Sequence, residues 1–529
     1  MVDIIDDEKY GWLKAFYNDI FLKIENVIIR WVLPVTLLVI VAPAVAGKWE
    51  VSKRLNLSEI YSSNIGLTSF DEEDDLVTRV RPGLSINGAG RRLDLNFDYE
   101  PELLAYSKGP SRKQFYNRLK SDVVFNIVPE ALRLDGNAGI RQIAVDTNAR
   151  ARLINKSLAD LADVVTLNVG TSLFHDFSGY LVSDLSFRYG TVDYQGIDLP
   201  DSELGQAALT FGSGRHFRRL TWTGGYSKNT LKRTLITDSR RESANISLRY
   251  KVSRTLVMLA RGGYENNRFK SSRNIINGAY SGAGLAWNPS KYISLDASYG
   301  DRSNEASLMW TPLVRTNIRI AYFDRAVGVK TGSVWSSSLS HSTRRTKWQA
   351  SYLEDVSNLQ RLDIIGEQAF VQFDAQGNLV TDPITGIPVI VTTDVFGLTD
   401  EEFLRKRANI SYTLTAGKNM LSFSPYRESR EYEVSGNKED VLGTVIAWDW
   451  RFAPKTRSVF SLNWQDRKFN TANRDDALWR ISLGLYKDLR PGFNASVEYH
   501  YLERNSMVQS NEYRENQLQV NISKQFQRR

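Results

Sequence analysis

Cysteine is absent from the 529 residues. That excludes disulfides, cysteine-ligated zinc or iron–sulfur sites, and a lipid anchor on a cysteine. Histidine is scarce: His175, His216, His341 and His500 lie far apart, with no metal-ligand spacing among them. Neither a phosphate-binding nor a dinucleotide-binding glycine loop is present, and there is no G-x-S-x-G elbow. Nothing points to an enzyme, a cofactor or a bound metal. No nucleic-acid module is visible either. The net charge of +8 is spread along the chain, which fits any anionic surface or polymer. Mean hydropathy is −0.35, too low for a helical membrane protein.

Long apolar runs are also lacking, with one exception: "WVLPVTLLVIVAPAVA" from Trp31. Arg30 precedes it and Ala44-Val45-Ala46 supplies an A-x-A site, so it reads as a signal peptide cleaved after Ala46. It is shorter than the roughly 20 residues of a spanning helix and carries Pro34 and Pro43. Residues 1–29 are acid-rich and atypical of a leader, so translation could start downstream, near Val27. The expected division is a leader over 1–46 and one domain over 47–529.

What the sequence has in abundance is alternation. In "LQVNISKQF" near the C-terminus, Leu518, Val520, Ile522 and Phe526 alternate with polar residues. "FNASVEYHY", "LWRISLGLY", "ANISYTL" and "VTLNVGTSL" behave alike. Period two predicts strands with one greasy and one polar face. The connections alternate too. Short ones ("GAGRR", "TAGKN", "FAPKT", "KDLRPG") are interleaved with long polar ones ("SSNIGLTSFDEEDD", "VDTNARARLINKSLAD"). This is the layout of an all-β protein forming one large antiparallel transmembrane outer-membrane barrel, with short periplasmic turns and long extracellular loops. About 24 strands are expected (about 22–26), with residues 110–145 and 308–316 the hardest to place. A soluble sandwich, propeller or β-helix would seldom put Trp448, Trp450, Phe452, Trp464, Trp479, Tyr499 and Tyr501 on its apolar faces, where aromatic girdles belong. Residues 49–61 are expected to pair with the last strand, leaving no edge open to lipid.

The strand parity predicts a lumen lined by Arg79, Arg81, Arg92, Arg133, Arg188, Arg249, Arg261, Arg319 and Arg480. Asp94, Asp98, Asp122, Asp184, Asp296, Asp449 and Glu498 share that face. These groups could form an ion-pair lattice that stiffens the wall, a cationic path for an anionic polymer, or both. "DEEDD" (71–75) is a solvated acidic loop or a cation bridge to lipopolysaccharide. His175 and His216 are expected in periplasmic turns. The longest connection, 355–401, is too apolar to stand free in water. It is expected to fold across the mouth as a lid, with Phe370, Phe373, Ile387 and Val389 among its buried contacts; otherwise it stands as an upright hairpin.

"LNLSEIYSSNIGL" and "DEEDDLVTRVRPGLSINGAGRRLDLNFDYEPELLAYS" resemble the outer-membrane β-barrel proteins associated with PEP-CTERM/exosortase systems of Gram-negative bacteria. Asp74 to Gly83 and Tyr99 match that family's acidic–x–V–x–PG passage and Tyr-rich strand, and Ser63-Asn64 stands where the family has Asp-Asn. About 60 residues carry the specific likeness. The resemblance implies an outer-membrane barrel encoded beside exopolysaccharide genes, and it brings no catalytic residues. The expected function is therefore a pore for exopolysaccharide export. The alternatives are a general porin and a structural barrel that binds polymer or matrix protein through its loops. A TonB-dependent receptor is disfavoured, because the first strand follows Gly47 so closely. Expected partners are outer-membrane lipid, lipopolysaccharide, the barrel assembly machinery, and anionic exopolysaccharide with periplasmic export proteins. The terminal alternation ending at Phe526 is the expected assembly signal.

Overall fold

The computed structural model describes residues 47–108, 113–144, 161–195, 201–234, 238–271, 275–358, 401–470 and 474–527. The leader assigned to 1–46 lies outside them. Twenty-six strand segments follow one another: β1 (Gly47–Ser62), β2 (Asp75–Gly90), β3 (Leu93–Tyr99), β4 (Glu102–Tyr106), β5 (Lys113–Tyr116), β6 (Leu119–Val128), β7 (Leu132–Ala144), β8 (Leu161–Phe177) and β9 (Leu181–Gln195). Then come β10 (Ser202–Ser213), β11 (Leu220–Arg233), β12 (Ser239–Lys251), β13 (Leu256–Arg268), β14 (Gly278–Ser290), β15 (Ile293–Tyr299), β16 (Ser303–Leu313), β17 (Thr316–Arg325) and β18 (Gly332–Ser342). The last are β19 (Thr346–Ser357), β20 (Phe403–Ala416), β21 (Asn419–Tyr432), β22 (Lys438–Ala453), β23 (Thr456–Phe469), β24 (Arg474–Arg490), β25 (Phe493–Ser506) and β26 (Tyr513–Gln527).

Every pairing is antiparallel, and β1 closes the sheet on β26, from Ser52↔Gln527 to Ser62↔Gln517. Two wall positions are each built from two segments. β2 pairs with β3 through Leu84–Ala89 and with β4 through Val77–Val80, and β5 and β6 answer β4 and β3. The wall therefore has 24 strands, as the alternation predicts. The break between β3 and β4 holds Pro101, which has no N–H to give the ladder. That explains why 110–145 is hard to read. Residues 308–316 straddle β16, a two-residue turn at Val314 and Arg315, and β17.

Parity sets the two faces. Leu518, Val520, Ile522 and Phe526 lie on the outer face and are 48, 45, 44 and 50 % exposed. Lys524 sits over the Phe526 ring at 6.0 Å. Trp448, Trp450 and Phe452 stack along the same face of β22, with centroids 5.7 and 5.2 Å apart. Trp464 and Trp479 form a cross-strand pair at 6.1 Å. Trp49 lies flat over Gly88 on the neighbouring strand, where an added Cβ would fall 2.4 Å from the ring, so only glycine fits there. A closed sheet that is apolar outside and polar inside has lipid around it and water within it, because no other solvent arrangement satisfies both faces. The chain is an outer-membrane β-barrel protein.

The connections fall at two ends. Eleven turns of two to six residues, the start of β1 and the end of β26 lie at one, the turn end; the other connections, most of them longer, lie at the loop end. The tightest turns use backbone that glycine adopts freely, as at Gly417 (φ +60°) and Gly492 (φ +67°).

Candidate functional site

The inner wall is a belt of ion pairs. Arg79, Arg81, Arg133, Arg188, Arg249, Arg261, Arg319 and Arg480 all occupy inward positions, as the register requires. Arg92 does not. It sits exposed in the two-residue turn between β2 and β3, since β2 ends at Gly90 and β3 begins at Leu93.

Most inward arginines have carboxylate partners. Arg81 lies 3.3 Å from Glu100, and Arg79 lies 4.0 Å from Glu102. Arg188 reaches Asp135 at 2.7 Å and Arg133 reaches it at 3.5 Å. Asp296 lies between Arg249 (3.6 Å) and Arg261 (3.9 Å), and Glu305 between Arg261 and Arg325, both at 2.7 Å. Arg480 is flanked across the wall by Asn463 and Leu502. Arg319 is exposed to the lumen between Met309 and Ser338.

Some members of this belt escape a motif search. Arg54 donates to Asp98 (2.6 Å) and Glu100 (2.8 Å), and Arg118 lies 3.2 Å from Glu102. Arg54 shares parity with Asn56 and Ser58, so alternation alone could have found it. Glu100 and Glu102 flank the break at Pro101, where alternation is lost.

At the loop end part of the chain enters the lumen. Residues 63–74, which join β1 to β2, tuck inward and bury Ile65 (0 % exposed) and Leu67 (1 %). Ile65 packs with the inward residues Ile60, Val77, Leu104, Tyr106 and Tyr116, and Leu67 packs with Leu478, Leu502 and Tyr513. The hub is buried Asn64. Its amide donates to the carbonyls of Thr68 (2.7 Å) and Arg514 (3.0 Å), and its oxygen accepts from Thr68 N–H (3.0 Å). Beside it Ser62 donates to Glu515 at 2.6 Å, and the Asn516 N–H donates to Ser63 Oγ at 3.0 Å. Leu67 and Asp71 adopt left-handed backbone (φ +49° and +54°), which turns the segment into the mouth.

Of "DEEDD", Asp75 is buried and accepts from the N–H groups of Leu76, Ser107 and Lys108 and from the Ser107 hydroxyl. Asp74 pairs with Lys108. That pairing raises the lysine's pKa.

A second closure crosses the mouth. Arg241 on β12 donates to the carbonyl of Val356 on β19 (2.7 Å) and to Glu402. Asn358 donates to Glu402 at 2.7 Å, and Ser271 donates to Glu433 at 2.9 Å. β12 and β19 are seven wall positions apart. Seven spacings of about 4.8 Å make about 34 Å of wall, yet one guanidinium spans the gap. The wall between them must therefore curve back on itself at this end, pinching the mouth. The lid residues Phe370, Phe373, Ile387 and Val389 lie outside the described residues. The connection holding them is shorter than expected at its start, because β19 continues through Ser357 and Asp355 pairs with Arg405 at 2.9 Å.

The turn end is open, and inward residues such as Asp94, Asp184 and Arg319 are exposed there. His216 lies in a turn as expected, stacked on Tyr180 at 4.5 Å. His175 instead lies within β8, edge-on to Phe177, because that strand runs four residues past the alternation that marks it. Among the described residues, no three acidic or histidine side chains converge as metal ligands do.

No family model matches the chain, and no curated protein does. Among solved structures, it is similar to the siderophore receptor PirA from Acinetobacter baumannii, with 9% identity over 91% of this chain and 81% of that one (TM-score 0.44). It is similar to the FrpB iron transporter from Neisseria meningitidis, with 8% identity over 90% and 81% (TM-score 0.45). A third is OpdK from Pseudomonas aeruginosa, crystallised with vanillate, with 9% identity over 90% and 99% (TM-score 0.34).

Proposed function

We propose that this barrel is a gated conduit for an acidic exopolysaccharide, working with periplasmic export proteins in a PEP-CTERM/exosortase-type system. The observation that carries the reading is the inner wall: arginines project into the lumen from β2, β7, β9, β12, β13, β17 and β24, and toward the turn end they are exposed. A uronic-acid chain offers one carboxylate per charged sugar, which such a wall would attract along its length. Stiffening and conduction are compatible, because Asp135, Asp296 and Glu305 hold their arginines in place while leaving the wall polar.

A freely diffusing porin is the poorer reading. Twenty-four strands make a lumen wider than a porin's, and a mouth narrowed by buried Ile65 and Leu67 and by the Arg241–Glu402 bridge suits gated rather than free passage. Deleting the gene in its host should abolish surface acidic polysaccharide and leave it in the periplasm. Unchanged surface polymer, with no periplasmic accumulation, would refute the conduit.

A further inference from the structure

The two ends of the barrel carry opposite charge. The eleven turns hold twelve Lys and Arg residues against one acidic residue, Glu130. Eight turns carry a cation themselves, and the turn at Pro491 and Gly492 directly follows Arg490. The described loop-end connections hold eleven Asp and Glu residues against four Lys and Arg. Arg91, Arg92, Arg215, Arg218, Arg344 and Arg345 are all exposed, so the turn cations face solvent.

Like charges at this density repel one another within a Debye length of about 8 Å. A ring of them is costly to hold unless an anion shares the site. From this we infer that the turn end is a binding collar for a polyanionic chain, the loading site at which an acidic polysaccharide first meets the barrel. This rests on the conduit reading and adds the side of entry.

Continuity favours a polymer over anionic lipid headgroups. The collar runs inward, not only around the rim: Lys251, Lys347 and Arg451 are exposed on inward positions at strand ends, and Arg249 and Arg319 continue the path into the lumen. A lipid headgroup outside the wall cannot reach them. Phosphate recognition by helix ends or glycine nests is not needed; dispersed guanidinium and ammonium groups suit a flexible chain with repeated carboxylates.

The test uses the purified full chain in neutral detergent, with a biotinylated galacturonic-acid oligomer of about twenty sugars as probe and a dextran of equal length as control. The parent should bind the acidic oligomer and not dextran, and binding should weaken steeply between 50 and 200 mM salt, as it does for other polyanions. Changing Arg91, Arg92, Arg215, Arg218, Arg254, Arg344 and Arg345 together to Gln should weaken binding at least ten-fold. Heat-modifiable gel migration confirms that the variant is folded. Lumen changes (Arg249→Gln with Arg319→Gln) should weaken it far less. The collar is overturned if the parent does not bind, if binding ignores salt, or if the lumen variant loses binding and the turn variant keeps it. It is also overturned if the turn variant loses only co-purified anionic phospholipid. None of these outcomes touches the conduit reading, which stands or falls on surface polymer in cells.

Discussion

The loop end and the turn end are made from the same strands, yet they differ in almost every physical respect. At the loop end the inward residues are buried from strand to strand: Ile60, Val77, Leu104, Val164, Leu204, Leu231, Phe403, Tyr432 and Leu502 are each less than 10 % exposed. Polar groups there are buried with partners, such as Asp476 between Arg474 and Arg504. At the turn end the lumen positions are wet and the connections are short and basic. One end behaves like the core of a soluble domain, where packing and buried polar contacts fix a single arrangement. The other behaves like a surface, where side chains stay mobile and charge acts at a distance. A barrel can thus be sealed and receptive at once, because the two demands fall on opposite ends of each strand.

This contrast breaks most readily at the 63–74 segment. Replacing residues 64–73 with a short Gly-Ser linker should raise single-channel conductance several-fold in planar bilayers and sensitise cells to large antibiotics. Conductance at the parent level would mean that other parts of the mouth seal it alone.

The cross-mouth bridge comes next. Arg241→Ala leaves Glu402 buried with only Asn358, and removing one partner of a buried pair costs about 3–5 kcal/mol. Amide exchange should accelerate at the loop ends of β12 and β19 and stay unchanged at their turn ends. Uniform acceleration would show that the ends are not independent.

Asn64→Ala removes three buried hydrogen bonds, with a loss of about 1–3 kcal/mol. The temperature at which the folded gel form converts to the unfolded one should fall modestly. Asn64→Asp keeps the acceptor and loses the donors to Thr68 and Arg514, so it should recover only part of the loss.

The smallest effect is expected at Arg319, which is exposed at the open end. Arg319→Ala should change stability by less than about 0.5 kcal/mol and shift ion selectivity slightly toward cations. A large stability loss there would mean that the turn end is packed after all.

Much of this was legible in the sequence, because a membrane barrel writes its two solvents into every other residue. The alternation of "LQVNISKQF" predicted both the outer face of Leu518, Val520 and Ile522 and the closure of β26 on β1. Parity also placed eight arginines inside. It failed where the period stops: at Arg92, in the turn just before β3, and at Glu100 and Glu102 beside Pro101. The described part of the seal was harder to see. "SSNIGLTSFDEEDD" reads as a polar loop, since only three of its residues, Ile65, Leu67 and Phe70, are large and apolar. Nothing local says that Ile65 and Leu67 turn inward, because their partners Leu104, Leu478 and Leu502 are tens to hundreds of residues away. The Arg241–Glu402 bridge is hidden for the same reason.

Asn64 sets an order of events. Its amide donates to the carbonyl of Arg514, 450 residues along the chain, and Ser62 reaches Glu515 across 453. Closing so long a chain on itself costs entropy that no local contact offsets, and contacts of this separation form late. The segment that fills the mouth is stitched to both sides of the seam between β1 and β26, so it cannot settle until that seam has zipped. During insertion the barrel would pass through a sealed wall with an unsealed mouth, and the setting of Asn64 would mark the end of assembly. A tryptophan placed at Phe70 should therefore report a slow final phase that trails the appearance of the closed sheet.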